Sequence, residues 1–287
     1  MTIHRRNYGG GHGYRDDDGL KVPGATTLIS DGVPKKALQK WAVETVADYY
    51  VDHRDDLAAM PLSEARKLLV KAPYAFTAKA AARGQQAHDL AERLLHGEQV
   101  AIPEGAEGFV QAAVSFIDSF DVVPVETEFT VYSEQWRWAG TCDLVADLID
   151  ADDPEPDPAL KQRVRWLLDF KTKTKESGVF GDAALQLAAY RCADRMVGAD
   201  GVDREMLEVD RCGIVQLYSD GSYRLVPVEA GEAEYRIFQY AQQMALWLDS
   251  NRSLVGDPVA PPRTSTFELV DLSTIPSTSD PEGDGKF

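Results

Sequence analysis

Hydrophobic positions recur at helical spacing through the first 120 residues and then switch to alternation, so the chain reads as helices followed by strands. After a Gly-rich opening, "VPGATTLISDG" carries turn signals, and a helix beginning near Pro34 sets Leu38, Trp41, Thr45 and Tyr49 along one side. A short helix from Ser63 precedes a longer one over Thr77 to Leu95, which Gly97 is placed to end. Another amphipathic helix covers Gly105 to Phe120. "VVPVETEFTVYS", "WRWAGTCDLVADLI" and "VRWLLDFKTKT" then read as consecutive strands, the last two joined by an acidic Pro-rich loop. A helix from Asp182 to Val197, a hairpin turning at Asp220-Gly221 and a closing helix over Glu232 to Leu248 complete the order.

This order predicts an α/β fold of mixed α+β character with one central sheet. Residues 1–75 form an expected N-terminal helical region, 76–250 the core, and 251–287 a Pro/Ser/Thr-rich acidic tail without a core of its own.

With 287 residues and 44% hydrophobic content the chain can bury a sizeable core. No apolar run approaches the roughly 18 residues that cross a bilayer, and the opening lacks the apolar block of a signal peptide, so the expectation is a soluble cytoplasmic protein with no membrane role. Cys142, Cys192 and Cys212 are far apart and form no CxxC pair, which supports neither a disulfide framework nor a zinc knuckle. The formal charge of −17 changes the picture more, because such a surface repels a phosphate backbone unless basic residues gather where contact occurs.

Candidate chemistry sits on the strands. "GTCDLVADL" places Asp143 just past a Gly-Thr turn, and "LLDFK" places Asp169 late in an apolar strand with Lys171 on the same face. Two carboxylates and an ammonium then meet at one edge of the sheet, a costly burial that a divalent cation would offset. Lys171 would hydrogen-bond an attacking water or the phosphate charge, a combination suited to metal-assisted hydrolysis of a phosphodiester. Asp-x-Lys alone is weak, since a chain of this length contains about one by chance. Its company strengthens it: His88 and Glu92 lie one turn apart on a helix with Gly84 near the same line, and Gln186 and Tyr190 are spaced in the same way downstream.

Gly84 with His88 and Glu92, Gly140-Thr141-Cys142-Asp143, Asp169-Phe170-Lys171, and Gln186 with Tyr190 together resemble, in this order, the RecB-like branch of the PD-(D/E)XK nuclease superfamily. That branch includes phage exonucleases and CRISPR-associated adaptation nucleases, and the resemblance extends loosely from about residue 22 to 248. It implies a restriction-endonuclease-like core, a central mixed sheet flanked by helices.

It also implies roles. His88, Asp143 and Asp169 would be side-chain metal ligands, with the Phe170 carbonyl a further candidate, and Mg²⁺ or Mn²⁺ the ion; an imidazole favours Mn²⁺. Lys171 would position or activate the water, Glu92 would support His88 or bind a second ion, and Gln186 and Tyr190 would orient Lys171 or the DNA backbone. A local basic patch to hold phosphates is offered by Arg83 with Lys79, by Lys173 and Lys175 alternating with Lys171, and by Arg191 with Arg195.

Cys142 stands where the superfamily's name has Pro, and three scattered cysteines do not supply the four that hold an iron-sulfur cluster in many relatives, so no cluster is expected. The implied activity is a metal-dependent DNA exonuclease resecting ends in phage recombination or replication, through a metal-bound water, in a bacterial or phage-infected cell. A recombinase or single-strand annealing protein is the implied partner beside DNA. Alternatives are a structure-specific or restriction-type endonuclease and a non-catalytic acidic DNA mimic.

Overall fold

The computed structural model describes residues 2–8, 11–174, 178–260 and 262. The chain divides into two units, Met1–Ser250 and Asn251–Phe287. In the second unit, the described residues include a short 3-10 turn over Asn251–Leu254.

The first unit opens with strands, where a helical region was expected. β1 (His4–Tyr8), β2 (Gly11–Arg15) and β3 (Lys21–Val22) pair antiparallel in a small sheet. Ile3, Tyr14 and Val22 from this stretch bury against Tyr132 and Ala139 of the main body, which explains why so polar an opening holds a defined place. Helices α1 (Ala25–Gly32), α2 (Lys36–Asp52) and α3 (Arg54–Ala59) follow.

α4 runs unbroken from Leu62 to Leu95 and carries Pro73 in its interior. The expected gap between a helix at Ser63 and another at Thr77 is therefore filled. Proline removes one amide donor and normally ends a helix. Here α2 packs along α4, and Pro73 lies in an apolar groove with Leu38, Trp41, Val70 and Tyr74, so packing outweighs the local penalty. Gly97, in the left-handed region at φ 71°, follows the helix end as the sequence predicts.

α5 (Glu107–Phe120) precedes the long strands β4 (Val123–Ser133), β5 (Trp138–Ile149) and β6 (Arg163–Lys173). α6 spans only Asp182–Arg191, because Asp194 leaves the helix to accept hydrogen bonds from Ser133 Oγ and the Glu134 amide. β7 (Arg195–Val197), expected as the last helical turn, instead pairs with β4. β8 (Asp203–Glu205), β9 (Arg211–Tyr218), β10 (Tyr223–Pro227) and α7 (Glu232–Ser250) complete the unit. The predicted hairpin turn is present, with Gly221 at φ 89°.

The main sheet has seven strands in the order β10-β9-β6-β5-β4-β7-β8. β6 and β9 are parallel, joined by a crossover through α6, and the other pairs are antiparallel. The fold is thus mixed α/β, with a central mixed sheet flanked by helices.

Strand alternation sorts the core into two layers. Leu167 and Val145 pack with Leu187, Ala188 and Phe238 from α6 and α7. Trp166, Leu168 and Phe170 pack with Ala87 and Ala91 of α4 and Phe116 of α5. Asp169 has the parity of Leu167 and belongs to the α6 side, whereas Asp143 stands where β5 changes face, between Cys142 of the α6-side layer and Leu144 of the α4-side layer. Among the described residues no helix is long and apolar enough to cross a membrane.

Candidate metal centre

Asp143 and Asp169 meet where β5 and β6 run out of mutual pairing, just beyond the Leu144–Leu168 pair. Asp143 Oδ2 accepts the Phe170 amide at 2.7 Å, and Asp169 Oδ1 accepts the Gln186 side-chain amide at 2.7 Å. Asp169 Oδ2 lies 2.6 Å from Lys171 Nζ in an ion pair without a well-angled hydrogen bond, which leaves a buried oxygen short of partners. Gln186 therefore reaches Lys171 through Asp169, and its amide also lies 3.4 Å from the Tyr190 hydroxyl.

Tyr190 is buried, which raises its phenol well above the usual value. Its ring explains Gly140: a Cβ added there would land inside van der Waals contact of Tyr190 Cε1. The Gly-x-x-Asp strand and the Gln-x-x-x-Tyr helix thus interlock.

α4 delivers His88. Its ring lies edge-on to Phe170 at 6.0 Å between centroids, Nδ1 stands 3.4 Å from Asp143 Oδ2, and the Phe170 backbone hydrogen-bonds the imidazole. The Phe170 backbone, expected to offer its carbonyl to a metal, binds both neighbouring side chains together. Glu92, one turn further on, lies close enough for its charge to act on Glu128.

Glu128 is the residue that sequence reasoning missed. His88, Glu128 and Asp143 each offer a ligand atom within 4.8 Å of the other two, a cluster that could hold a metal ion. Two local features aim Glu128 there. β4 shifts register against β5 between Pro124 and Glu126, and Glu128 takes a left-handed backbone at φ 45° between the pairs Thr127–Leu144 and Phe129–Cys142. A non-glycine in that region costs about 1–3 kcal/mol, strain of a kind that gathers at functional sites. The available signal was a glutamate within the buried second half of β4, opposite Asp143.

Electrostatics agree with the geometry. Burial, then the adjacent Asp169 charge, pushes Asp143 up to about 8. Burial, then Asp143, raises Glu128. Burial also holds His88 below its usual value, which favours the neutral imidazole that can donate a lone pair to a metal. Lys171 feels burial against its charge, yet Asp169 and Asp143 more than offset it, so its pKa is raised and it stays an ammonium. Its side chain is still 44% exposed, leaving access from solvent. Crowded carboxylates beside a neutral imidazole suit a divalent cation, and the donor set of one nitrogen and carboxylate oxygens fits Mn²⁺ or Mg²⁺.

The expected phosphate-binding residues are more dispersed. Arg83 stacks over Phe109 at 5.9 Å, Lys173 lies over Phe180 at 5.7 Å, and Arg191 donates to the Val209 carbonyl. Arg195 pairs with Asp203. Lys175 and the Lys79 side chain lie outside the described residues. Cys142 and Cys212 are buried free thiols, and Cys192 is half-buried. The chain matches no family model and no curated protein.

Proposed function

We propose that this centre is the active site of a metal-dependent DNA nuclease of the RecB-like PD-(D/E)XK kind, on a restriction-endonuclease-like core, acting as an exonuclease. The observation that carries the reading is the cluster of His88, Glu128 and Asp143 with the Asp169–Lys171 ion pair beside it, whose charges act on Asp143 and His88. A divalent ion held by His88, Glu128 and Asp143 would supply Lewis acidity and make a water acidic enough to react at neutral pH.

The chain's own residues then have distinct tasks. Lys171, kept protonated, offsets the negative charge that builds on the phosphoryl oxygens as water attacks phosphorus. It is an electrostatic group and a hydrogen-bond donor, since an ammonium has no lone pair with which to take a proton. Asp169, buried and fixed by Gln186, holds that ammonium at the rim. The Phe170 backbone fixes Asp143 and His88, so that their donor atoms are set before any ion arrives. Lys173, two residues along β6 and of the same strand parity as Lys171, would meet the phosphate on one side of the cleaved bond.

End-labelled linear DNA and closed circular DNA, incubated with Mn²⁺, with Mg²⁺ and with chelator beside the Asp169→Ala variant, test this directly. Metal-dependent loss of linear DNA alone is expected. Nicked circles would move the reading to an endonuclease, and the absence of cleavage in every condition would favour an acidic DNA mimic.

A further inference from the structure

The centre has a cationic neighbour that the motifs do not include. Arg5, on β1, places Nη1 3.3 Å from Glu128 Oε2, and both side chains are largely buried. Its Nε is buried without a hydrogen-bond partner. Ile3, two residues earlier and of the same strand parity, anchors β1 in the core beside Tyr14 and Val22. Opposite Arg5 on β2, Tyr14 hydrogen-bonds Thr141 of β5 at 2.8 Å, two residues before Asp143. The small sheet is thus fastened over β4 and β5 at the metal-ligand cluster. It is also basic in an acidic chain: "HRRNYGGGHGYR" holds three arginines and no carboxylate, against a net charge of −17 overall.

We infer that Arg5 is a positioning residue of this centre: without metal its guanidinium neutralises Glu128, and when Glu128 turns to a divalent ion Arg5 is released to hold a DNA phosphate. The second half rests on the nuclease reading, whereas the first needs only the metal site. A divalent ion on Glu128 would be repelled by the Arg5 guanidinium beside the same carboxylate, so Arg5 and the ion oppose each other there. A guanidinium has five N–H donors in a planar fork matched to phosphate, and here the Nε donor is already unspent. The charge of Arg5 reaches Asp143 as well, lowering the carboxyls of both residues against the effect of burial.

The test is Mn²⁺ binding by calorimetry to wild type, Arg5→Gln, Arg5→Met and Arg6→Gln. Arg6 is exposed and of opposite strand parity, so its variant removes the same charge away from Glu128. Methionine retains apolar volume at position 5 and guards against a hairpin that fails to dock. Both Arg5 variants should bind Mn²⁺ about tenfold more tightly, while Arg6→Gln matches wild type. A merely structural role would disturb the cluster and weaken binding, so unchanged or weaker Mn²⁺ affinity in both Arg5 variants overturns the inference. In an Asp169→Ala background with Mn²⁺, Arg5→Gln should lower the salt slope of DNA binding by about one phosphate contact. An unchanged slope overturns the release to phosphate. If the parent Asp169→Ala protein and wild type both fail to bind DNA, the nuclease reading falls, and the Mn²⁺ comparison still decides whether Arg5 competes for Glu128.

Discussion

The two sides of the candidate metal centre rest on unequal supports. Asp143 and Asp169 stand on β5 and β6, inner strands whose neighbours Leu144, Val145, Leu167 and Leu168 are fully buried, and each carboxylate has its own amide donor. His88 stands on α4, whose first half is largely open to solvent, with Leu62 89% and Tyr74 72% exposed. Among the described residues, this helix buries a continuous face near Ala87, Leu90 and Ala91. The carboxylates are thus preorganised by the sheet, while the imidazole depends on about one well-packed helical turn against Phe170.

The largest effect that would sharpen this contrast is loss of a sheet-borne carboxylate. Asp143→Asn and Asp169→Asn should each reduce DNA cleavage by roughly a thousandfold or more with an unchanged circular dichroism spectrum. His88→Ala should weaken Mn²⁺ binding by about 10–100-fold and leave the sheet intact. If His88→Ala proved as damaging to the fold as a core truncation, the helix side would be structural and the contrast would fail.

Next in size is Gly140→Ala. The added methyl would collide with a buried Tyr190 ring, and overpacking of this sort costs about 1–3 kcal/mol in denaturant unfolding. An unchanged midpoint would show that the β5–α6 interlock is soft. By contrast Tyr74→Ser, on the open half of α4, should change stability by no more than about 0.5 kcal/mol.

Stability should also depend on pH with a definite sign. Asp143 titrates near 4 when unfolded and is pushed up to about 8 in the folded, metal-free protein. The native state therefore holds a proton that the unfolded chain releases, and its stability falls as pH rises between those values. Glu128, also raised, acts in the same direction. His88, lowered, acts oppositely below about 6.5, so the clearest window is pH 6.5 to 8. Thermal unfolding in chelator should show the decline there, and Asp143→Asn should flatten it. A metal-free protein that gains stability over this window would contradict the buried-carboxylate account.

Much of this arrangement is written locally. The three long strands, the turn at Gly221 and the helix stop at Gly97 follow from periodicity and turn chemistry. The Asp169-Lys171 pair follows from strand alternation alone. What was hidden depends on distant partners. The helix from Ser63 and the one over Thr77 to Leu95 join into α4, with α2 packed beside it. The last turn assigned to α6 becomes β7 because Asp194 finds Ser133 and β4 offers an edge. Glu128 and Arg5 are more than 120 residues apart, and no local pattern announces that a basic opening strand meets a twisted glutamate.

The central claim, that these buried acids and His88 form a divalent-metal centre, is tested most directly by Mn²⁺ electron paramagnetic resonance titration of wild type, Asp143→Asn and Glu128→Gln. Saturable Mn²⁺ uptake by wild type, lost or greatly weakened in both variants, is the predicted result. Wild type that takes up no Mn²⁺, or variants that bind it as tightly as wild type does, would contradict it.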